Sequence, residues 1–164
     1  KLDAFNGEYI RAMSIPELVE ACAPWTSHIP AFDVERFAAI APHVQPRLVR
    51  LGDVADAVDF LFRTDPVIDE DSWTKVMGAE TSLELLRQGR SAFADLDWTA
   101  GALKSSLERL GESLGLKLGK AQAPIRVAVT GRSVGLPLFE SLEVLGRVEV
   151  LRRLDTAIGR LERT

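Results

Sequence analysis

Residues 121–153 read AQAPIRVAVTGRSVGLPLFESLEVLGRVEVLRR, and how this stretch is read decides the fold. Ile125 to Val129 is the densest β-branched run of the chain and its best strand candidate. The run is short, follows Pro124 and ends at Thr130-Gly131, a pair that suits a helix C-cap equally well. A loop carrying Arg132 and Pro137 comes next, and a second helix opens with Leu138-Phe139-Glu140. Read so, the strand candidate becomes part of a helix and the chain becomes all-α.

The flanking sequence points the same way. Ser14-Ile15-Pro16-Glu17 has the form of a capping box, with Pro16 in the first turn, where a missing N–H does no harm. Asp33 can cap a run in which Val34, Phe37, Ala38 and Ala41 recur at helical spacing. Val54, Ala57, Val58, Leu61 and Phe62 make a second such face. Thr81-Ser82-Leu83-Glu84 resembles another box. Asp97 or Thr99 can start the run through Leu103, Leu107 and Leu110. Val148, Leu151, Leu154, Ile158 and Leu161 space a final helix, which puts Arg152, Arg153 and Arg160 on its other faces.

The best boundary is residues 63–71, RTDPVIDED. Pro66 disfavours helix at the residue before it, and the acidic cluster favours solvent. Two small helical-bundle subdomains are expected, 1–70 and 71–164, with residues 115–120 as a second flexible joint. Charge changes sign near the same point: residues 1–72 hold 6 Lys/Arg against 13 Asp/Glu, and residues 73–164 hold 14 against 11. The basic half can attract phosphate and the acidic half repels it.

Composition excludes several classes of protein. With 46% hydrophobic and 27% charged residues the chain has the balance of a globular protein. No apolar run is long enough for a membrane span, and KLDAFNGEY lacks a secretory pattern, so a cytoplasmic setting is expected. A start at Lys1 rather than Met reads as a fragment. The single cysteine, Cys22, has no internal partner and no ligand cluster around it, and is read as a buried small apolar residue. His28 and His43 lie near prolines in separate segments, and their spacing fits no catalytic or metal motif, so they read as exposed loop residues. Gly111 to Lys117 lacks the spacing and the ending of a phosphate loop. No catalytic residue and no metal site is expected.

RNA reading needs other parts: guanidinium forks for base edges, flat or apolar surfaces for stacking, and cations for phosphates. The C-terminal segment supplies Arg126 near one helix end and Arg132 in the loop. Leu136, Pro137, Leu138 and Phe139 form an apolar edge at the next helix start, where backbone N–H groups and the dipole favour anions. The same residues also describe a buried helix start beside a surface arginine, and on their own they leave both readings open.

Four segments together resemble bacterial glutamyl-tRNA synthetase in its C-terminal anticodon-binding region. KLDAFNGEYIR is similar to the family's Lys-Leu-x-Trp-x-Asn-Gly-x-Tyr-Ile, with Ala4 at the aromatic position. Pro46-Arg47 resembles its Arg-Pro-Arg turn, with Gln45 replacing the first Arg. LKLGKAQAPIRVAVTG resembles its Lys-Leu-Gly…Pro-Leu-Arg-Val-Ala-Leu-Thr-Gly element, and PLFESLEVLGR its Pro-Leu-Phe-Glu helix. The match runs in order along essentially the whole chain.

The resemblance implies the all-α anticodon-binding fold of class I synthetases. It implies a parent ligase that joins glutamate to its tRNA using ATP and Mg in a catalytic domain of the same chain. Neither the His-Ile-Gly-His nor the Lys-Met-Ser-Lys-Ser signature of that domain occurs here, so the fragment is expected to bind no ATP, hold no cofactor and form no ester. The implied partner is tRNA(Glu), with tRNA(Gln) an open second, and the implied state is monomeric. Residue by residue, Arg47 falls on the arginine that contacts the third anticodon base, and Arg126 on one near the first bases. Arg132 belongs to the same loop. Gly135, Leu136, Pro137 and Leu138 fall on the edge that packs on those bases. Glu108 stands where some relatives carry a basic contact residue, and Arg109 is its neighbour. A helical protein-interaction domain without an RNA role is the competing expectation.

Overall fold

The computed structural model describes residues 2–164, with side chains from Asn6 onward. The family's aromatic position at Ala4 lies outside the described side chains. Every regular element among the described residues is helical. The chain divides into two compact units, Lys1–Thr64 and Asp65–Thr164.

The first unit holds α1 (Leu2–Arg11), α2 (Ile15–Thr26), α3 (Val34–Val44) and the short α4 (Val54–Val58). Local chemistry sets two of the starts. The Ser14 hydroxyl accepts the Glu17 N–H at 3.3 Å and the Glu17 carboxylate accepts the Ser14 N–H at 3.3 Å, which completes the box. The Asp33 carboxylate accepts the Glu35 N–H at 2.9 Å. Helices α2 and α3 pack together and against α4, around Leu18, Cys22, Phe37, Ile40, Val44, Val54 and Val58, all fully buried.

The face expected from Val54 to Phe62 is built differently. The helix gives way after Val58 to a tighter 3₁₀ turn, Asp59–Leu61. Phe60, Leu61 and Phe62 are all buried, and three consecutive inward residues cannot share one face of an α-helix. The tight turn brings Phe62 against Phe32, with ring centroids 5.0 Å apart. Arg36 Nη1 donates to the Leu61 carbonyl at 2.9 Å and closes the turn.

The second unit contains α5 (Glu70–Met77), α6 (Ser82–Phe93), α7 (Ala100–Ser113), α8 (Leu118–Thr130), α9 (Leu138–Leu145) and α10 (Arg147–Glu162). Helix α8 is its hub and packs on α5, α6, α7 and α10. That position explains the strand-like run. Ile125, Val127, Ala128 and Val129 are all buried, and a helix with neighbours on most sides is apolar nearly all round. Gly131 ends α8 at φ 83°, its N–H donating to the Val127 carbonyl at 2.9 Å. A Cβ there would lie 2.0 Å from the Val67 carbonyl oxygen, so only glycine fits. The Gly131 carbonyl accepts the Asp69 N–H at 2.8 Å, which fastens the segment after Asp65 across the end of α8.

Of the two proposed starts for α7, Thr99 is the cap, its hydroxyl accepting the Ala102 N–H at 3.2 Å. Thr81 precedes α6 without a side-chain cap bond. Cys22 is buried, and burial in apolar surroundings raises its thiol to about 11. His28 lies exposed in a turn, whereas His43 belongs to the last turn of α3 and is half-buried.

Candidate nucleic-acid interface

In the first unit the candidate residue is Arg47. It ends a 3₁₀ turn, Gln45–Arg47, that continues α3. Buried Val44 and Leu48 bracket the turn, and the Gln45 amide donates to the carbonyls of Ile10 at 2.9 Å and Met13 at 2.8 Å. Ile10 lies in the last turn of α1 and Met13 just beyond it, where carbonyls lack i+4 helical donors. Gln45 therefore has a structural reason to carry a donor, whatever its relatives carry. The turn is pinned on both sides, and the Arg47 side chain is exposed.

In the second unit the candidates surround the loop between α8 and α9. Arg126 is half-buried, and its Nη1 donates to the Leu136 carbonyl at 2.7 Å. A Cβ at Gly135 would sit 3.9 Å from the same nitrogen, so the guanidinium runs directly along the loop. Leu136 and Leu138 are 4% and 2% exposed. Their side chains hold the loop on the core, and Pro137 is half-buried between them. Arg132, Ser133, Val134 and Gly135 are exposed. Val134, which sequence reasoning passed over, is 77% exposed. An apolar residue in a polar loop was the available signal.

The loop is stiffened at its start. Thr130 Oγ1 donates to the Arg126 carbonyl at 2.8 Å and accepts the Arg132 N–H at 3.2 Å. Ser133 Oγ lies 3.2 Å from Ser72 Oγ, which itself donates to Asp69. The Asp69 carboxyl is held below the usual range, first by the side-chain bond from Ser72, then by the Ser72 backbone N–H, with a smaller contribution from Arg132. Beyond the loop, the first-turn N–H groups of α9 have no intrahelical acceptors. Glu140 in that turn opposes anions. Glu108 and Arg109 are both exposed on α7.

Among the described residues no group of three or more His, Cys, Asp or Glu could hold a metal ion, and no helix is long and apolar enough to cross a membrane. A protein-family model described as an anticodon binding domain matches residues 17–158. The chain belongs to that family. It is 51% identical to the glutamate–tRNA ligase of Thermobifida fusca, matching over 99% of this chain and 36% of that protein. It is 52% identical to the glutamate–tRNA ligase of Frankia casuarinae over 98% of this chain and 35% of the relative. The chain thus spans about a third of the length of these relatives. A crystal structure of a glutamate tRNA ligase from Elizabethkingia meningosepticum in complex with its amino acid superposes with a TM-score of 0.85. That superposition has 24% identity and covers 97% of this chain and 32% of the other. A glutamate–tRNA synthetase from Elizabethkingia anophelis gives 0.81 at 22% identity, covering 96% and 31%. At this identity both show the fold alone.

Electrostatics inside the anticodon-binding domain depart from the plain count along the sequence. Residues 65–71 hold four carboxylates, and the structure assigns them to the second unit. Asp65 accepts from Arg152 Nη1 at 2.9 Å. Glu70 accepts from both terminal nitrogens of Arg160, whose guanidinium also lies 4.0 Å over the Trp73 ring. Residues 1–64 hold 6 basic and 9 acidic residues and residues 65–164 hold 14 and 15, so neither unit is basic, and two of the four carboxylates are paired on α10.

Arg153, expected on a polar face, is 1% exposed. Its Nη1 donates to the Val129 carbonyl at 2.7 Å and its Nε to Glu149 at 2.9 Å. Val129 lies in the last turn of α8, so this guanidinium caps an otherwise unsatisfied helix end. Burial lowers the affinity of Arg153 for its proton, and Glu149 works against that. The inward face of α10 is Val150, Arg153, Leu154 and Ala157, while Val148 is 83% exposed.

Proposed function

We propose that this domain reads the anticodon loop of tRNA(Glu) for a glutamate–tRNA ligase whose catalytic domain lies in the same polypeptide and uses ATP and Mg. In this reading Arg47 holds the third anticodon base. A guanidinium offers five donors in a fixed fork, matching the O2 and N3 acceptors of an unpaired cytosine. Arg126 and the loop 132–138 take the first bases. Arg132 and the exposed backbone at Gly135 face the RNA, and buried Leu136 and Leu138, with Pro137, hold the edge in place beneath it. The two units act as two anticodon-binding subdomains, with residues 65–70 serving as the lead-in to the second. The protein works as a cytoplasmic monomer. Whether tRNA(Gln) is a second substrate depends on how far Arg47 selects the third base.

The observation that carries the reading is the setting of Arg47: an exposed arginine on a turn fixed by Gln45 and by two buried neighbours. A site that must discriminate one base needs its fork carried on a fixed turn. In the full-length ligase, Arg47→Ala should lower kcat/KM for tRNA charging by the equivalent of about 1–3 kcal/mol, and Arg47→Lys should not restore it. Unchanged charging by Arg47→Ala rejects the assignment. A protein-interaction reading draws on the acidic first half, and assigning residues 65–71 to the second unit reduces that excess, as it also removes the basic excess of the second half.

A further inference from the structure

The chain has three tryptophans, and two have structural duties. Trp73 is buried under Arg160. Trp98 donates its indole N–H to the Leu142 carbonyl at 2.9 Å. Trp25 differs. It is 41% exposed, and its indole makes no hydrogen bond among the described residues. It lines a groove of about 520 Å³ in the first unit, together with Asn6, Tyr9, Met13, Arg50 and Gly52. Tyr9 is 66% exposed. A Cβ on Gly52 would stand 3.1 Å from Trp25 Nε1, so the glycine lets the ring approach that wall closely.

The groove adjoins the Arg47 turn. Ile10 and Met13 line it, and the Gln45 amide is bonded to the carbonyls of these two residues. Arg50 stands at the rim and Arg47 on the neighbouring turn, both exposed. Asp53, the acid at the rim, accepts the Arg50 N–H at 3.2 Å. Two accessible rings, an amide side chain and flanking guanidiniums are the combination that takes an unstacked nucleobase: π faces for stacking, an amide for the base edge, and cations for the phosphates. The cavity is large enough for a base with its ribose.

We infer that this groove seats a second unstacked base of the RNA, next to the one held by Arg47, stacked on Trp25 with Tyr9 as the outer wall. The inference rests on the RNA reading above and adds Trp25 and Tyr9 as base-contacting residues.

The test titrates the 164-residue chain with the anticodon stem-loop of tRNA(Glu), followed by fluorescence anisotropy at two salt concentrations. Circular dichroism checks that each variant is folded. Trp25→Ala should weaken binding about 5- to 150-fold, the range for losing one base–aromatic stack, and Trp25→Phe should recover most of it. Tyr9→Ala should weaken binding less. The Trp25 indole N–H resonance, assigned through Trp25→Phe, should shift when RNA is added. If the wild-type chain binds and neither the variants nor the resonance responds, the groove assignment fails while the RNA reading stands. If the wild-type chain does not bind at either salt concentration, both fail. Hydroxyl-radical footprinting of a full-length ligase bearing this domain gives a further check. Protection of Trp25 only with tRNA supports the inference. Protection already present without tRNA means that protein covers the groove, and overturns it.

Discussion

The turn after α3 and the loop after α8 each bring an arginine to the surface, by opposite means. In the first unit the positioning and presenting roles fall on different residues: Gln45 bonds the carbonyls that hold the turn, and Arg47 is the exposed residue on it. In the second unit one residue does both. Arg126 ties the loop through the Leu136 carbonyl while lying half-buried at its edge. The lesson concerns mutational readout. Where the roles are divided, binding and stability separate, and where they are fused, they fall together.

The largest separation is expected at Arg47. Arg47→Ala should cost about 1–3 kcal/mol of tRNA recognition in charging assays and leave the thermal midpoint within the small range of surface substitutions. A clear fall in the midpoint would break the comparison. Arg126→Ala should lower both quantities, with unfolding in denaturant showing a loss of about 1.5–3 kcal/mol for a bond from a charged donor. Full stability combined with weak RNA binding would show that the clamp is not structural.

Gln45→Ala removes two bonds to the end of α1 and should cost about 1–2 kcal/mol in stability. It should blunt tRNA binding less than Arg47→Ala does. Gln45→Arg keeps the donors and should retain most of the stability, which sharpens the distinction between pinning and presenting.

The smallest effect is on pH dependence. Asp69, which supports the second loop through Ser72, titrates below the ordinary value of 3.8 in the folded chain. Its folded-state pKa is depressed, so its contribution is complete above the unfolded value and is lost as pH falls through the folded one. Below about pH 4 the amide resonances of Ser72 and Ser133 should move together, while that of Leu48 beside Arg47 stays in place. A common response of all three would indicate global unfolding rather than release of one loop.

Much of the local structure was legible from residues alone. The Ser14–Glu17 box, the Asp33 cap and the Gly131 stop depend on neighbours two to four positions apart, and spacing along the chain reports such neighbours. The phase of α10 did not follow from the same logic. Val148, Leu151, Leu154, Ile158 and Leu161 fit a helical stripe, yet the inward set is Val150, Arg153, Leu154 and Ala157. An arginine at a core position reads as surface until the Val129 carbonyl and the Glu149 carboxylate that receive it are known. In the same way, Leu136 and Leu138 were legible as apolar, and their inward direction was not.

By itself the sequence determined an all-helical chain with its principal caps, and it marked Arg47, Arg126 and the loop between α8 and α9. These depend on short-range hydrogen bonding, on periodicity and on motif order. Only the tertiary structure decided which arginines are buried and which are exposed. A cation is stable in the interior only where acceptors from distant segments converge on it. Arg153 meets such acceptors at the end of α8, Arg126 meets one at Leu136, and Arg47 stands exposed beside a glutamine that holds its turn.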